Sequence, residues 1–145
     1  MKYYNKAKKR WDLLLKNVEK TFKLDLQKQL DSLKHRDTFN DWIYPGYTEG
    51  RYYHTLRHII YMLDNIHDFK LSKKDEYKLE LAIWFHDIVY DSTRTDNEKL
   101  SANNFKSFGN IIGLKNKHIK EICNLILVTK HNDTVKTESE KINVI

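Results

Sequence analysis

The sequence predicts an all-α fold, one compact helical bundle, on three observations. Residues of about 7 to 35 set Trp11, Leu14, Leu15, Val18, Phe22, Leu26, Leu30 and Leu33 at helical spacing between charged neighbours. The stretch from Leu79 to Asp91, wound at the same period, is apolar on every side of the cylinder, the mark of a helix buried all round. No stretch of useful length alternates polar and apolar residues as a half-buried strand would. A chain of 145 residues with 40% hydrophobic and 12% aromatic content holds one sizeable core and not two.

Taken in order, the first amphipathic run has room for a break near Thr21 to Asp25. Trp42 to Gly50 contains the sole proline and two of the four glycines and reads as a loop whose aromatic side chains fold back onto the core. In the next run Leu56, Ile59, Ile60, Met62, Leu63 and Ile66 share one broad helical arc, with His54 and His58, four apart, at its edge. Ser72 to Asp75 has the form of an N-terminal cap leading into the buried helix. Past Asp91 comes a polar turn, and a helix from Asp96 to about Phe108 is ended by Gly109. Thr95 and Glu98 have capping-box spacing, and the first turn exposes Asn97, Glu98 and Ser101. A last helix, from about Asn116 to Thr129, turns Ile119, Ile122, Cys123 and Ile126 inward.

Twenty-six Lys and Arg against twenty Asp and Glu give a formal charge of +6, but outside Lys6 to Arg10 the basic residues are scattered. Scattered lysines describe a solvated surface and argue against nucleic acid as the partner. One cysteine excludes a disulfide framework and fits a reducing compartment. With no signal-like or membrane-length apolar run, the expected location is the cytoplasm, away from membranes.

The chemistry concentrates on a few polar residues set in apolar sequence. His86 and Asp87 interrupt the buried stretch, and a carboxylate there must be protonated, paired or bound to a metal. His54 and His58 form a second polar group, and two adjacent imidazoles are compatible when at least one stays neutral, as a metal-bound imidazole does. His67-Asp68 serves as a control: it follows Asp64-Asn65 at a helix end, with His67 on the face opposite His58, so it is assigned to solvent, as are His35 and His118 among their charged neighbours.

His54-Thr55-Leu56-Arg57-His58, His86-Asp87-Ile88-Val89-Tyr90-Asp91 and Asn97-Glu98-Lys99-Leu100-Ser101-Ala102, in that order, resemble the HD superfamily of metal-dependent phosphohydrolases, closest to its bacterial-type branch of predicted phosphohydrolases. The resemblance spans roughly Trp11 to His131. It implies a single HD-type domain over residues 1–145, with a helical N-terminal part at 1–40 and the metal-site core at 51–131.

It further implies that His58, His86 and Asp87 bind a divalent metal ion, with His54 the general acid. Some members place the ligand at the first histidine, so the roles of His54 and His58 stay exchangeable. Asp91 and Glu98 are the further catalytic candidates, Asp91 because it follows Asp87 by one helical turn. The ppGpp hydrolases of the superfamily carry a Glu-Asp pair where this chain has Tyr90-Asp91. Arg51, Lys130 and His131 are candidates for holding phosphate oxygens; Arg57, which points away from its histidine neighbours, is a poorer one.

Mixed nitrogen and oxygen ligation suits Mn, Fe, Ni, Co or Zn. The implied reaction is hydrolysis of a phosphomonoester or phosphodiester, a nucleotide being the leading substrate, by metal-activated water. The superfamily's last metal-binding aspartate lies on a later helix; here only Asp133 follows the final predicted helix, so the chain is expected to lack the C-terminal part of the domain. A degenerate HD domain that binds a nucleotide or a protein without turnover is therefore the alternative. A di-iron oxygenase is a further one, although it needs more ligands than the sequence supplies.

Overall fold

The structure, a computed structural model, describes residues 3–31, 37–47 and 55–129. Among these residues every regular element is helical and no strand is present, so the expected all-α bundle is what forms. In chain order the elements are α1 (Tyr4–Phe22), α2 (Leu26–Asp31), a π-helical turn (Phe39–Ile43), a 3₁₀ turn (Tyr44–Tyr47), α3 (Leu56–Asn65), a second 3₁₀ turn (Ile66–Asp68), α4 (Lys73–Phe85), α5 (Asn97–Ile111) and α6 (Asn116–Val128).

Local chemistry explains most of the boundaries. α1 stops where Lys23 takes a left-handed conformation, φ 57°, and Leu24 N–H closes on the Glu19 carbonyl. The Glu19 side chain then receives Leu26 N–H at 2.8 Å, which ties the start of α2 to the end of α1. Ser72 caps α4 by accepting Asp75 N–H, with Asp75 and Glu76 in the favourable first turn.

Two boundaries differ from the sequence expectation. α5 runs through Gly109, where the Ile119 side chain packs so closely that a Cβ would approach it to 2.9 Å. The helix ends instead ahead of Gly113, whose φ of 83° lets Leu114 N–H return to the Gly109 carbonyl. α4 stops at Phe85 and not at Asp91, for reasons that belong to the site below.

α4 is the axis of the bundle and lies against α1, α3, α5 and α6. Leu79, Leu81, Ala82, Ile83, Trp84 and Phe85 are all buried, as its all-round apolar pattern requires. Trp11 of α1 meets Trp84 edge-on with ring centroids 5.4 Å apart and also packs on Phe85 and Phe108, while its indole N–H donates to Thr38 Oγ1 at 2.8 Å. The predicted inward face of α3 is buried throughout. Arg10 reaches Asp64 at 2.7 Å and joins α1 to α3 at the surface.

Two polar residues are buried where the sequence offers no warning. Lys78 of α4 extends its ammonium to Glu121 of α6 at 2.8 Å. His118, assigned to solvent from its neighbours, is instead covered, its ring against Phe22 at 4.9 Å. Burial, with the Lys78 and Lys74 ammonium groups nearby, holds the His118 imidazole below its ordinary value. The assignment fails because the face that His118 shares with Glu121, whose Oε1 lies 3.6 Å from its Nδ1, is covered by Phe22 of α1.

Glu80 is partly covered on α4. Burial, reinforced by Glu76 and opposed by Arg10 and Lys73, pushes its carboxyl from 4.5 up to about 7. The folded-state value is the raised one, so the neutral acid's contribution is complete below about pH 4.5 and is lost as pH rises through about 7. Glu80→Gln is expected to flatten this dependence and to raise stability on the alkaline side by on the order of 2 kcal/mol. Urea unfolding of both proteins across that range measures the difference.

Candidate functional site

The C-terminal end of α4 is buried, and a buried helix end needs partners for its last carbonyl groups. Two side chains provide them. His86, the C-cap residue, folds its ring back so that Nδ1 lies 2.7 Å from the Ile83 carbonyl, a contact that holds when Nδ1 carries the proton. Tyr47 donates its hydroxyl to the next carbonyl, Trp84, at 2.6 Å. With these groups satisfied the helix has no need to continue, and Ile88 N–H turns back onto the Phe85 carbonyl.

Tyr47 reaches that position because Gly46 passes directly over the turn. A Cβ on Gly46 would stand 2.8 Å from the Ile88 carbonyl oxygen and 2.9 Å from its Cδ1. The aromatic segment, read from sequence as a loop, is thus built of two short helical turns and folds onto the core, as expected of its aromatic residues. Phe39, Ile43 and Tyr47 are buried.

His86 is 5% exposed, and its Nε2 lies 3.0 Å from Asp87 Oδ2. Burial opposes charging of this imidazole, but the Asp87 carboxylate and the Ile83 carbonyl, facing its two nitrogens, outweigh burial and hold it above the ordinary value. The partial negative charge at the end of α4 acts in the same direction.

From α3, half-buried His58 brings its ring centroid to 6.2 Å from that of His86, at an interplanar angle of 51°. The orientation of α3 is fixed by Thr55, whose side chain accepts His58 N–H at 3.4 Å. His58, His86 and Asp87 are therefore neighbours at one end of the α3/α4 pair. α3 begins at Leu56 with extended Thr55 as its cap and carries His58 in its first turn.

The other candidates divide. His54, Arg51, Lys130 and His131, with Asp133, lie outside the described residues. Asp91 is described, and the helical argument for it is corrected: α4 ends six residues earlier, so Asp91 is not stacked one turn beyond Asp87. Its exposed carboxylate accepts Thr93 Oγ1 at 2.6 Å and Thr93 N–H at 2.9 Å, and these bonds hold it below the usual carboxylate range.

Glu98 is in the first turn of α5, half-buried, and its carboxylate makes no hydrogen bond or ion pair among the described residues. It does not complete a capping box, since the helix starts at Asn97 with Asp96 before it. Arg57 is exposed.

Comparisons with protein-family models, curated proteins and solved structures find no match. The geometry alone therefore describes the site. Sequence reading misses four residues that set it: Gly46 and Tyr47 on one side of the His86-Asp87 turn, and Asn97 and Ser101 on the other. Ser101, expected to be exposed, is fully buried, and its Oγ both accepts Val89 N–H at 3.1 Å and donates to the Val89 carbonyl at 3.2 Å. Asn97 treats Asp91 likewise, through Oδ1 to its N–H at 3.1 Å and Nδ2 to its carbonyl at 2.8 Å. Their four-residue spacing on α5 matches Val89 and Asp91, two residues apart in a segment that is not helical.

Among the described residues no group of three or more His, Cys, Asp or Glu side chains is arranged to hold a metal ion. The His58 and His86 rings, with centroids 6.2 Å apart, stand just beyond the spacing of two ligands on one ion. A ring nitrogen lies about 1 Å from its centroid, so with metal–nitrogen bonds of about 2.1 Å two rings on one ion stand roughly 5–6 Å apart. The His86 Nδ1 bond to a backbone carbonyl leaves Nε2 as the nitrogen that would ligate an ion, and in the structure that nitrogen faces Asp87 Oδ2 at 3.0 Å.

Two substitutions test the support of this turn. Tyr47→Phe keeps the ring and removes the hydroxyl, and is expected to lower stability by about 1–2 kcal/mol. Gly46→Ala forces a methyl against the Ile88 backbone and is expected to cost about 1–3 kcal/mol. Chemical denaturation gives both values, and the His86 imidazole resonances in an NMR spectrum report whether the turn itself has moved.

Proposed function

We propose that this chain is an HD-type metal-dependent phosphohydrolase acting on a phosphomonoester or phosphodiester, with a nucleotide the leading substrate. The observation that supports the reading best is the pairing of His86, anchored through Nδ1 on the Ile83 carbonyl, with His58 from the neighbouring helix. A surface histidine needs no such arrangement. Two imidazoles and an adjacent carboxylate at the buried end of a helix are the donor set a divalent transition metal takes. No helix is long and apolar enough to cross a membrane among the described residues, in keeping with a small-molecule phosphate ester as substrate.

In this reading His58, His86 and Asp87 hold the ion, with Mn, Fe, Ni, Co and Zn suited to the ligands. When bound, the ion polarises a phosphoryl oxygen and makes hydroxide available near neutral pH. The chain's own residues do the remainder. His54 protonates the leaving oxygen. The Glu98 carboxylate, without a partner among the described residues, orients water, and Arg51, Lys130 and His131 hold phosphate oxygens. Asp91 places both of its Thr93 bonds on Oδ1, so its exposed carboxylate keeps Oδ2 for a water molecule. Gly46, Tyr47, Asn97 and Ser101 fix the backbone on either side of the ligands, the positioning that metal sites depend on.

A second reading has its own support. Asp87 directs an oxygen to the His86 nitrogen that a metal would take, and no three-ligand group is formed among the described residues. A degenerate domain that binds a nucleotide or a protein partner without turnover has those features.

Elemental analysis of protein purified without chelator or histidine tag separates the two. The phosphohydrolase is expected to carry about one transition-metal ion per chain, His86→Ala and His58→Ala to carry none, and only the metal-loaded parent to hydrolyse p-nitrophenyl phosphate or its bis-ester. Parent protein that stays metal-free after incubation with manganese, iron or nickel leaves the non-catalytic reading.

A further inference from the structure

A groove of about 650 Å³ lies between α5 and α6, on a part of the molecule that shares no residue with the His86 turn. Its size is that of a site for a small organic ligand. Four lysines stand around it: Lys99 and Lys106 from α5, Lys117 and Lys120 from α6. All four are exposed, and none makes an ion pair or hydrogen bond among the described residues.

No aspartate or glutamate lines the groove. The acidic residue of α6, Glu121, is turned to the other side of its helix, where Lys78 holds it. The lining is therefore positive, with Asp96 and Glu121 acting on Lys99 and Lys117 only from outside it. The start of α6 adds to this charge, since Asn116 lies in the lining and the first turn carries neither an acidic residue nor a side-chain cap.

The floor has the opposite character. Ala102, Ile119 and Cys123 form it, with the exposed Leu127 at one end, while Asn103 and Asn124 offer amides at the edge. A ligand matched to the whole groove has several negative charges on a body with an apolar face. One carboxylate leaves most of the four ammonium groups unpaired, whereas a di- or triphosphate meets them. A nucleic-acid strand fits less well, because a groove of about 650 Å³ takes a single nucleotide and not the several that a strand-binding site spans.

We propose that the α5/α6 groove binds a small phosphorylated ligand of the nucleoside polyphosphate class, its phosphates among the four lysines and its base over the Ala102–Ile119 floor. The site is separate from the one at His86 and holds whether or not that one is catalytic.

The probe is ATP, without added divalent metal so that turnover elsewhere does not consume it, titrated by calorimetry into the whole chain. Parent protein is expected to bind it, and Lys106→Gln with Lys120→Gln to weaken binding about tenfold or more through the loss of two charge-assisted contacts. Lys16→Gln with Lys20→Gln, on exposed α1 positions, makes the same change in net charge and is expected to leave binding as it was.

Saturating ATP is also expected to slow alkylation of Cys123, the chain's single thiol, which partly lines the groove. The proposal is overturned by no ATP binding, by equal weakening in the α1 pair, by an unchanged Cys123 alkylation rate at saturation, or by inorganic triphosphate binding as tightly as ATP. An oligonucleotide that binds more tightly than ATP through the same two lysines overturns it in favour of nucleic acid.

Discussion

The arrangement depends first on how the buried end of α4 satisfies its carbonyl groups. A helix surrounded by core on every side ends without water to donate hydrogen bonds to its last carbonyls, and each group left unpaired there is costly. The molecule solves this with the imidazole of His86 and the hydroxyl of Tyr47, one from the turn itself and one from a segment far earlier in the chain. The histidine that ends the helix is thereby held in one orientation, and its second nitrogen is presented beside Asp87 and His58. Structural need and chemical opportunity coincide in a single side chain.

Around that point the turn is gripped from both sides. Gly46 admits the aromatic segment against Ile88, and Asn97 and Ser101 of α5 each take the N–H and carbonyl of one residue beyond it. The segment that follows His86, as far as Asp91, is thus fixed by side chains in place of helical bonds. The two faces of α5 do different things: one fixes this non-helical segment, and the other forms a wall of the lysine-ringed groove.

Much of the fold is legible because burial leaves a period in the sequence. The apolar face of α3, the all-round apolar character of α4 and the Ser72 cap each rest on spacing within one element, and the structure has them as the spacing predicts. The same reasoning fails wherever the cause is a contact between distant elements. Apolar periodicity runs past Phe85 because Ile88 is buried by Gly46 and the aromatic segment, not by a continuing helix. His118 reads as a solvent residue because nothing near it in sequence reveals Phe22. Gly109 reads as a stop because its role, to admit Ile119, lies in a helix pairing. In the site, His86 and His58 are visible as polar residues in apolar surroundings, whereas Tyr47, Gly46 and Ser101 have ordinary readings as loop and surface residues.

The long reach of the Tyr47 contact bears on the order in which the molecule acquires its parts. α5 and α6 are consecutive helices joined by a short turn, so their packing closes little chain. The Tyr47–Trp84 bond joins residues 37 apart, and Trp11–Thr38 and Arg10–Asp64 join residues 27 and 54 apart. Such closures must be made against chain entropy before their contacts return stability. The helical hairpin can thus take shape from its own sequence, while the end of α4 acquires its final geometry only when the N-terminal third has docked. The residues best placed for chemistry are the ones whose geometry is borrowed from farthest away.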